Sequence, residues 1–349
     1  MRPRSLVPIA VIALVAGMAC IHRKALPAAD APPTPLALPI PAWAMDTLFP
    51  PVLPYDNPLT AEGVALGERL FHEPLLSGDG SLSCASCHQR AQAFGDARNF
   101  PSAHGHARNG MPLMNLVFQH YFFWDARALT LELQAFEPVT AHAEMNSSWA
   151  EVVARLQAHA EYPALFRRAF GSDRVDSLHV AYALAQYERT LLSFGTRFDR
   201  YWYGGDSTAL TDAERRGLRV FMVNGHCADC HMPPLFTDHR MSNIGLEHPP
   251  VDPGLGARTG IPWHAGRFKT PTLRNVAATA PYMHDGRFAT IQEVVDFYAT
   301  GVATDAHTLD PHMEPWARGE VFLNAGQRAD LVAFLHTLTD STFLYGPSR

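Results

Sequence analysis

Two stretches of this chain repeat one pattern, Cys84-Ala85-Ser86-Cys87-His88 and Cys227-Ala228-Asp229-Cys230-His231. Two thiols set two residues apart can add to the two vinyl groups of a haem, and the next residue, a histidine, then lies under the iron as an axial ligand. Cys84, Cys87, Cys227 and Cys230 are therefore the expected attachment points of two covalently bound haem c groups, with His88 and His231 as proximal ligands. Zinc is a poorer reading, because zinc ribbons bring their Cys-X-X-Cys pairs within about 15 to 20 residues of each other. A redox dithiol explains neither histidine nor its identical placement in both copies. What each haem would do depends on its sixth coordination position. A strong second ligand makes an electron carrier, and an open face beside an acid or base makes a reactive centre.

The elements that must position these motifs are well punctuated. Thr60 can cap a helix from about Ala61 to Phe71, and Thr211 with Glu214 forms a capping box for a helix reaching Phe221. The two segments resemble each other: Leu59-Thr60, Gly67 and Leu70-Phe71 against Leu210-Thr211, Gly217 and Val220-Phe221. Each precedes a Cys-X-X-Cys-His, so the chain reads as an internal duplication with a period of about 150 residues. Further helices are expected from Ser148 with Glu151, from about Ser177 to Phe194, from Thr290 with Glu293, and from Asn324 with Gln327. The Thr290 helix carries Ile291, Val294, Val295 and Tyr298 on one face, at helical spacing. No run alternates long enough to demand a sheet. The expected class is mainly α, as two cytochrome c-type domains with haem sites near their interface: residues 55–204 around the first haem and 205–349 around the second.

Ahead of them, residues 1–20 read as an export signal, with Arg2 and Arg4 before an apolar run that ends at Cys20. Cys20 suits a lipoprotein cleavage site, while Gly17 and Ala19 also suit ordinary cleavage. Both place the protein in the periplasm, the first with a lipid anchor on a membrane. Residues 21–54 are expected to be a spacer, and its Pro- and Ala-rich part from Leu26 to Trp43 should be extended and semi-rigid. A net charge of −6 offers no footprint for nucleic acid.

Several ordered motifs then point to one family. In the first half they are Arg108-Asn109, Phe123-Trp124-Asp125-Ala126-Arg127, Leu131-Glu132-Leu133-Gln134-Ala135 and Glu144-Met145. In the second half they are Glu188-Arg189-Thr190-Leu191, Phe236-Thr237-Asp238, the run from Phe268 to Asn275, and the run from Thr279 to Gly286. Together these resemble the bacterial di-haem cytochrome c peroxidases and MauG, over about residues 55 to 340. The resemblance implies that the first haem is peroxidatic, with Glu144 as its acid–base carboxylate and Gln134 as a pocket amide that positions the oxidant. It implies that Trp124 lies between the haems and assists electron transfer. It also implies a calcium ion held by Asn109 through its side chain and by Thr279 and Pro281 through backbone carbonyls, and oxygen-only ligation is what calcium prefers.

Two positions depart from the usual peroxidases. Tyr298, fourteen residues beyond His284, stands where those enzymes carry a methionine ligand to the electron-transfer haem. A tyrosine there resembles MauG, and an anionic phenolate would lower that haem's potential. A core tyrosine is the plainer alternative, with His284 or Met283 as substitute ligand. Upstream of Arg108, Pro101 stands where the family has a histidine able to close the first haem, while His104 and His106 lie nearby.

The leading expectation is thus an oxidoreductase of the cytochrome-c peroxidase type that reduces hydrogen peroxide to water. Its electrons would come from a small donor protein, a cytochrome c or a cupredoxin, and pass from the second haem to the first. One alternative is MauG-like oxidation of a partner protein through high-valent haem, and another is a non-catalytic di-haem electron carrier. A homodimer is a further expectation of the resemblance.

Overall fold

The computed structural model describes residues 31–346 except 49 and 102–106. Cys20 with the rest of residues 1–20, expected to be an export signal, and His104 and His106, lie outside the described residues.

Two helix pairs carry the architecture, and each is made close by one glycine. Ala61–Phe71 packs on Ser177–Arg189, and Asp212–Arg219 packs on Ala325–His336. A methyl group at Gly67 would lie 1.9 Å from the Ala183 carbonyl oxygen, and one at Gly217 would lie 1.9 Å from that of Asp330. Each crossing therefore needs a bare backbone at that point. Around the first pair, a core including Leu66, Phe71, Leu131, Phe166, Val180 and Leu184 closes; around the second, one including Phe198, Phe221, Phe236, Ile291 and Phe334.

The duplication extends beyond the opening helices. Asn115 and Asn275 both take left-handed backbone, at φ 54° and 56°, and each opens a short 3-10 turn. Their N–H groups donate to equivalent carbonyls, Leu191 and Leu338, each at 2.8 Å. Phe122 bridges Ala128 as Tyr282 bridges Phe288. Trp124 and His284 thus occupy matching places, each followed by aspartate and then, two residues on, arginine.

The capping boxes at Ser148, Thr211, Thr290 and Asn324 form with Glu151, Glu214, Glu293 and Gln327 respectively. Three expectations need correction. The helix expected to reach Phe194 ends at Arg189, where the Thr190 hydroxyl bonds the Tyr187 carbonyl at 2.7 Å and the chain turns to offer Leu191 to Asn115. Small sheets do exist: β1 (Asp96–Pro101) pairs antiparallel with β2 (Ala107–Gly110), and β3 (Met241–Ser242) with β4 (Phe268–Lys269). They are too short, and β1 too irregular, to show alternation. The described part of the expected spacer is not extended throughout, and it packs on the body. Leu36 N–H bonds Leu59 O at 3.0 Å, and Ala42–Thr47 is helical. Trp43 stacks on Tyr203 with ring centroids 4.0 Å apart. Leu38, Ile40 and Leu48 pack against Val117, Phe118 and Leu235, so the segment covers a seam between the two halves.

Candidate active site

Each Cys-X-X-Cys-His sits on a single tight turn. Cys84–Cys87 forms one helical turn, and His88 N–H bonds the Cys84 carbonyl at 2.8 Å. Residues three and four apart share a helix face, so both thiols and the imidazole address one side. The second copy does the same through a 3-10 turn, with His231 N–H on Cys227 O at 2.9 Å. The imidazoles are oriented alike: His88 Nδ1 is 2.6 Å from Phe94 O, and His231 Nδ1 is 3.0 Å from Phe236 O. A carbonyl can only accept, so Nδ1 carries the proton in both and Nε2 keeps its lone pair for a metal. Phe94 and Phe236 take left-handed backbone, at φ 56° and 55°. Burial pushes the Cys227 and Cys230 thiols up to about 12 and Cys84 higher still. A reactive dithiol needs the opposite shift, whereas thioether attachment consumes the thiol. These residues fit covalently held haem on both turns.

A cavity opens over each turn. The first is lined by His88, Phe122, Trp124, Arg127, Gln134 and Glu144 among others. Gln134 ends the short helix Leu131–Gln134, whose cap is Thr130, and Glu144 follows in a turn with its N–H on Ala141 O at 3.0 Å. Neither side chain has a hydrogen-bond partner among the described residues, so both are available to a ligand. Burial raises the Glu144 carboxyl above the ordinary carboxylate range, Arg127 opposes this, and Glu137 adds to it. Arg127 is itself fixed, bonding Glu137 at 2.6 Å and Asp125 at 3.0 Å with its guanidinium 3.4 Å from the Phe123 ring centre.

Trp124 lines both cavities. Its indole N–H donates to Asn109 O at 2.8 Å, and its carbonyl accepts from Lys269 N–H at 2.8 Å.

The second cavity is lined by Cys227, Cys230, His231 and Tyr298, with Met283, His284, Met313 and Trp316 also on its wall. The Tyr298 hydroxyl has no hydrogen-bond partner among the described residues, and burial pushes it well above the ordinary phenol range. A bound cation would reverse that shift. His284 is engaged elsewhere, stacked on Phe268 at 3.7 Å with a 12° interplanar angle. Asn109, Thr279 and Pro281 come together on the wall of the second cavity. The Asn109 amide N–H donates to Pro281 O, while Oδ1 is buried with no partner. Turning that amide over would set oxygen against oxygen, an arrangement that a hard cation such as calcium could hold. Pro101, at the place where the family resemblance implies a histidine, ends β1.

Three groups here went unassigned in the sequence. Arg108 bonds Asp252 through Nε and Nη2, at 2.7 and 2.9 Å, and Asp125 through Nη1 at 2.7 Å, all buried. Glu188 is fully buried beside Cys84, its carboxyl pushed up to about 8 by burial with Oε2 unpartnered. Lys269 lines both cavities. Arg108, Glu188 and Lys269 all lie inside motifs that carry the family resemblance, which was their available signal; Asp252 has none.

Residues 61–208 match the family model for di-haem cytochrome c peroxidase. The chain is 41% identical to the methylamine utilization protein MauG of Methylorubrum extorquens, over 82% of this chain and 80% of that protein. It is 35% identical to the cytochrome-c peroxidase IdrP1 of Denitromonas iodatirespirans, over 85% and 89% respectively. Among solved structures, a MauG-like protein associated with microbial copper homeostasis is similar with a TM-score of 0.77 and 34% identity, covering 89% of this chain and 98% of that one.

Proposed function

This chain belongs to the di-haem cytochrome c peroxidase family, and from that premise we propose that it reduces hydrogen peroxide to water in the first cavity with electrons delivered through the second. One observation carries the reading: Glu144 and Gln134, both without hydrogen-bond partners among the described residues, line the cavity that His88 lines. A pure electron carrier has no use for an acid–base group at that place. Two haems, when bound, supply the iron that holds peroxide and the redox equivalents that cleave it. The residues do the rest. Reduction of one peroxide takes two electrons and two protons and gives two waters. A Glu144 carboxylate oxygen takes the proton from one peroxide oxygen and returns it to the other as the O–O bond breaks. Gln134 offers an amide donor and acceptor to hold the peroxide in line, and Arg127 limits how far burial raises Glu144. Trp124, common to both cavity walls, is the aromatic side chain placed to assist electron transfer between them. Asn109, Thr279 and Pro281 would hold calcium against that path, His88 and His231 would be the proximal ligands, and residues 1–20 would direct the protein to the periplasm.

A specific observation favours a second reading. The Tyr298 hydroxyl in the second cavity lacks a hydrogen-bond partner among the described residues, as a metal-binding phenol would, and this supports MauG-like oxidation of a partner protein. The two readings are separated by turnover. Di-haem protein supplied with peroxide and a reduced small cytochrome or cupredoxin should consume both at a ratio of one peroxide to two electrons, and Glu144→Gln should slow this about 10²–10⁴-fold. Peroxide consumption that needs no donor but modifies a second protein would favour the alternative.

A further inference from the structure

Lys269 is the only lysine among the described residues, and it is 4% exposed. Its ammonium donates to Gln119 Oε1 at 2.7 Å and lies 3.3 Å from the Tyr121 carbonyl, both neutral acceptors. It sits 5.9 Å from the Phe122 ring centre and makes no ion pair among the described residues. The two arginines on the same cavity wall differ, since Arg108 and Arg127 are each paired with two carboxylates. A second group is also unmatched: His239 lines this cavity and its Nε2 is buried without a partner.

An ammonium taken out of water without a counter-charge costs several kcal/mol, by order of magnitude. It has three N–H donors, and two neutral acceptors account for only two of them. The other ionisable groups at this place are His120, which is close enough to act on His239, and Asp96, Glu144 and His88 on the cavity wall. None of the carboxylates is within ion-pair reach of Lys269. The place left open beside the ammonium therefore suits an anion that the cavity receives.

We infer that Lys269 and His239 receive a propionate of the haem in the first cavity and fix that haem against the seam beside Trp124. The inference rests on the haem reading above. Propionates are the only ionised groups of a haem, and a charge-assisted hydrogen bond to an ammonium is among the stronger neutralising contacts. Burial alone pushes Lys269 down to about 7, so an anion beside it is also what would keep it charged. Its backbone N–H holds the Trp124 carbonyl, so one strand residue sets both the haem and the indole. Lys269 is a positioning residue in this account.

The test uses the di-haem protein. Two haems per chain are established first by pyridine haemochrome; fewer than two would overturn both the haem reading and this inference. With two present, Lys269→Met should shift the first haem's reduction potential to more negative values, because a nearby cation favours the reduced iron. It should also move the propionate-bending band in resonance Raman spectra, and the second haem should shift less. Lys269→Arg should keep both values near those of the parent. His239→Gln, which leaves the hydrogen bonds of Lys269 in place, should move the same band if Lys269→Met does not fold. An unmoved band and potential, or equal shifts at both haems, overturns the inference. So does a potential in the parent protein that follows added phosphate, which would assign the site to a free anion.

Discussion

In the proposed reaction the Glu144 carboxyl would act as a base at a place that makes it a weak acid. Burial raises it, so its ionised fraction grows only above the ordinary carboxylate value of about 4.3. The acid limb of peroxide turnover should therefore lie above that value, and Glu144→Gln should erase the limb while lowering the rate about 10²–10⁴-fold. Stability should move the other way. A carboxyl raised in the folded state contributes fully below its unfolded value and loses that contribution as pH rises through the folded one. Glu144→Gln should then match the parent in thermal unfolding near pH 4 and exceed it at pH 8. Equal melting temperatures at both pH values would show that Glu144 is not buried in the working protein. Tyr298 makes a separate prediction. If its phenolate ligates iron, Tyr298→Met should raise the second haem's potential by on the order of tenths of a volt, within the range of about 0.8 V that axial ligands span. A potentiometric titration followed in the visible spectrum measures this, and an unchanged midpoint would leave Tyr298 a core residue.

Between elements, the two glycine crossings decide a sign. Gly→Ala inside an exposed helix ordinarily gains about 1 kcal/mol. At Gly67 and Gly217 the added methyl would lie 1.9 Å from a backbone oxygen of the partner helix, and backbone cannot swing aside as a side chain can. Each substitution should cost at least the 1–3 kcal/mol or so of an overpacked core, read as a lowered denaturant midpoint. Both glycines stood out in the sequence only as part of a repeated pattern, and much of the fold was legible in the same way. Helix caps are local chemistry, so Thr60 and the capping boxes at Ser148, Thr211, Thr290 and Asn324 announce their helices from the sequence alone. What stayed hidden depended on tertiary partners. The end of the Ser177–Arg189 helix is set by Asn115, and the course of residues 31–48 by Phe118, Phe194 and Tyr203. Helix Tyr162–Phe170 did carry local signals, Pro163 in its first turn and Gly171 at φ 78° after its last, and these were readable. In the site, Trp124, Gln134 and Glu144 could be named only through the resemblance to the family, not from composition or spacing alone. The isolation of Lys269 and Glu188 could not, because an absent partner has no spacing.

The two halves are joined by polar groups that the interior isolates from water. Asn109 N–H reaches His284 O at 2.7 Å, Lys269 N–H reaches Trp124 O at 2.8 Å, and Arg108 spans Asp125 of its own half and Asp252 of the other. Asn109, Trp124, Asp252, Lys269 and His284 also lie on the wall of the second cavity, so joining the halves and shaping that cavity are one structural task. The Arg108 cluster is where this can be measured. Arg108 holds Asp125 and Asp252 below the usual carboxylate range despite burial. That contribution is present above the unfolded aspartate value of about 3.9 and is lost as pH falls through the lower folded values. Arg108→Met would leave Asp252 buried with only the Gly254 N–H at 2.9 Å, while Asp125 keeps Arg127. Breaking a buried pair in this way costs about 3–5 kcal/mol. The slope with pH should also reverse: Asp252 without its arginine is raised, so the variant should lose stability as pH climbs from 5 to 8, where the parent does not through this group. Arg108→Met with Asp252→Asn removes the stranded charge and should recover most of the loss. If the double variant is as unstable as the single one, the cluster acts through packing of the long arginine side chain and not through charge across the seam.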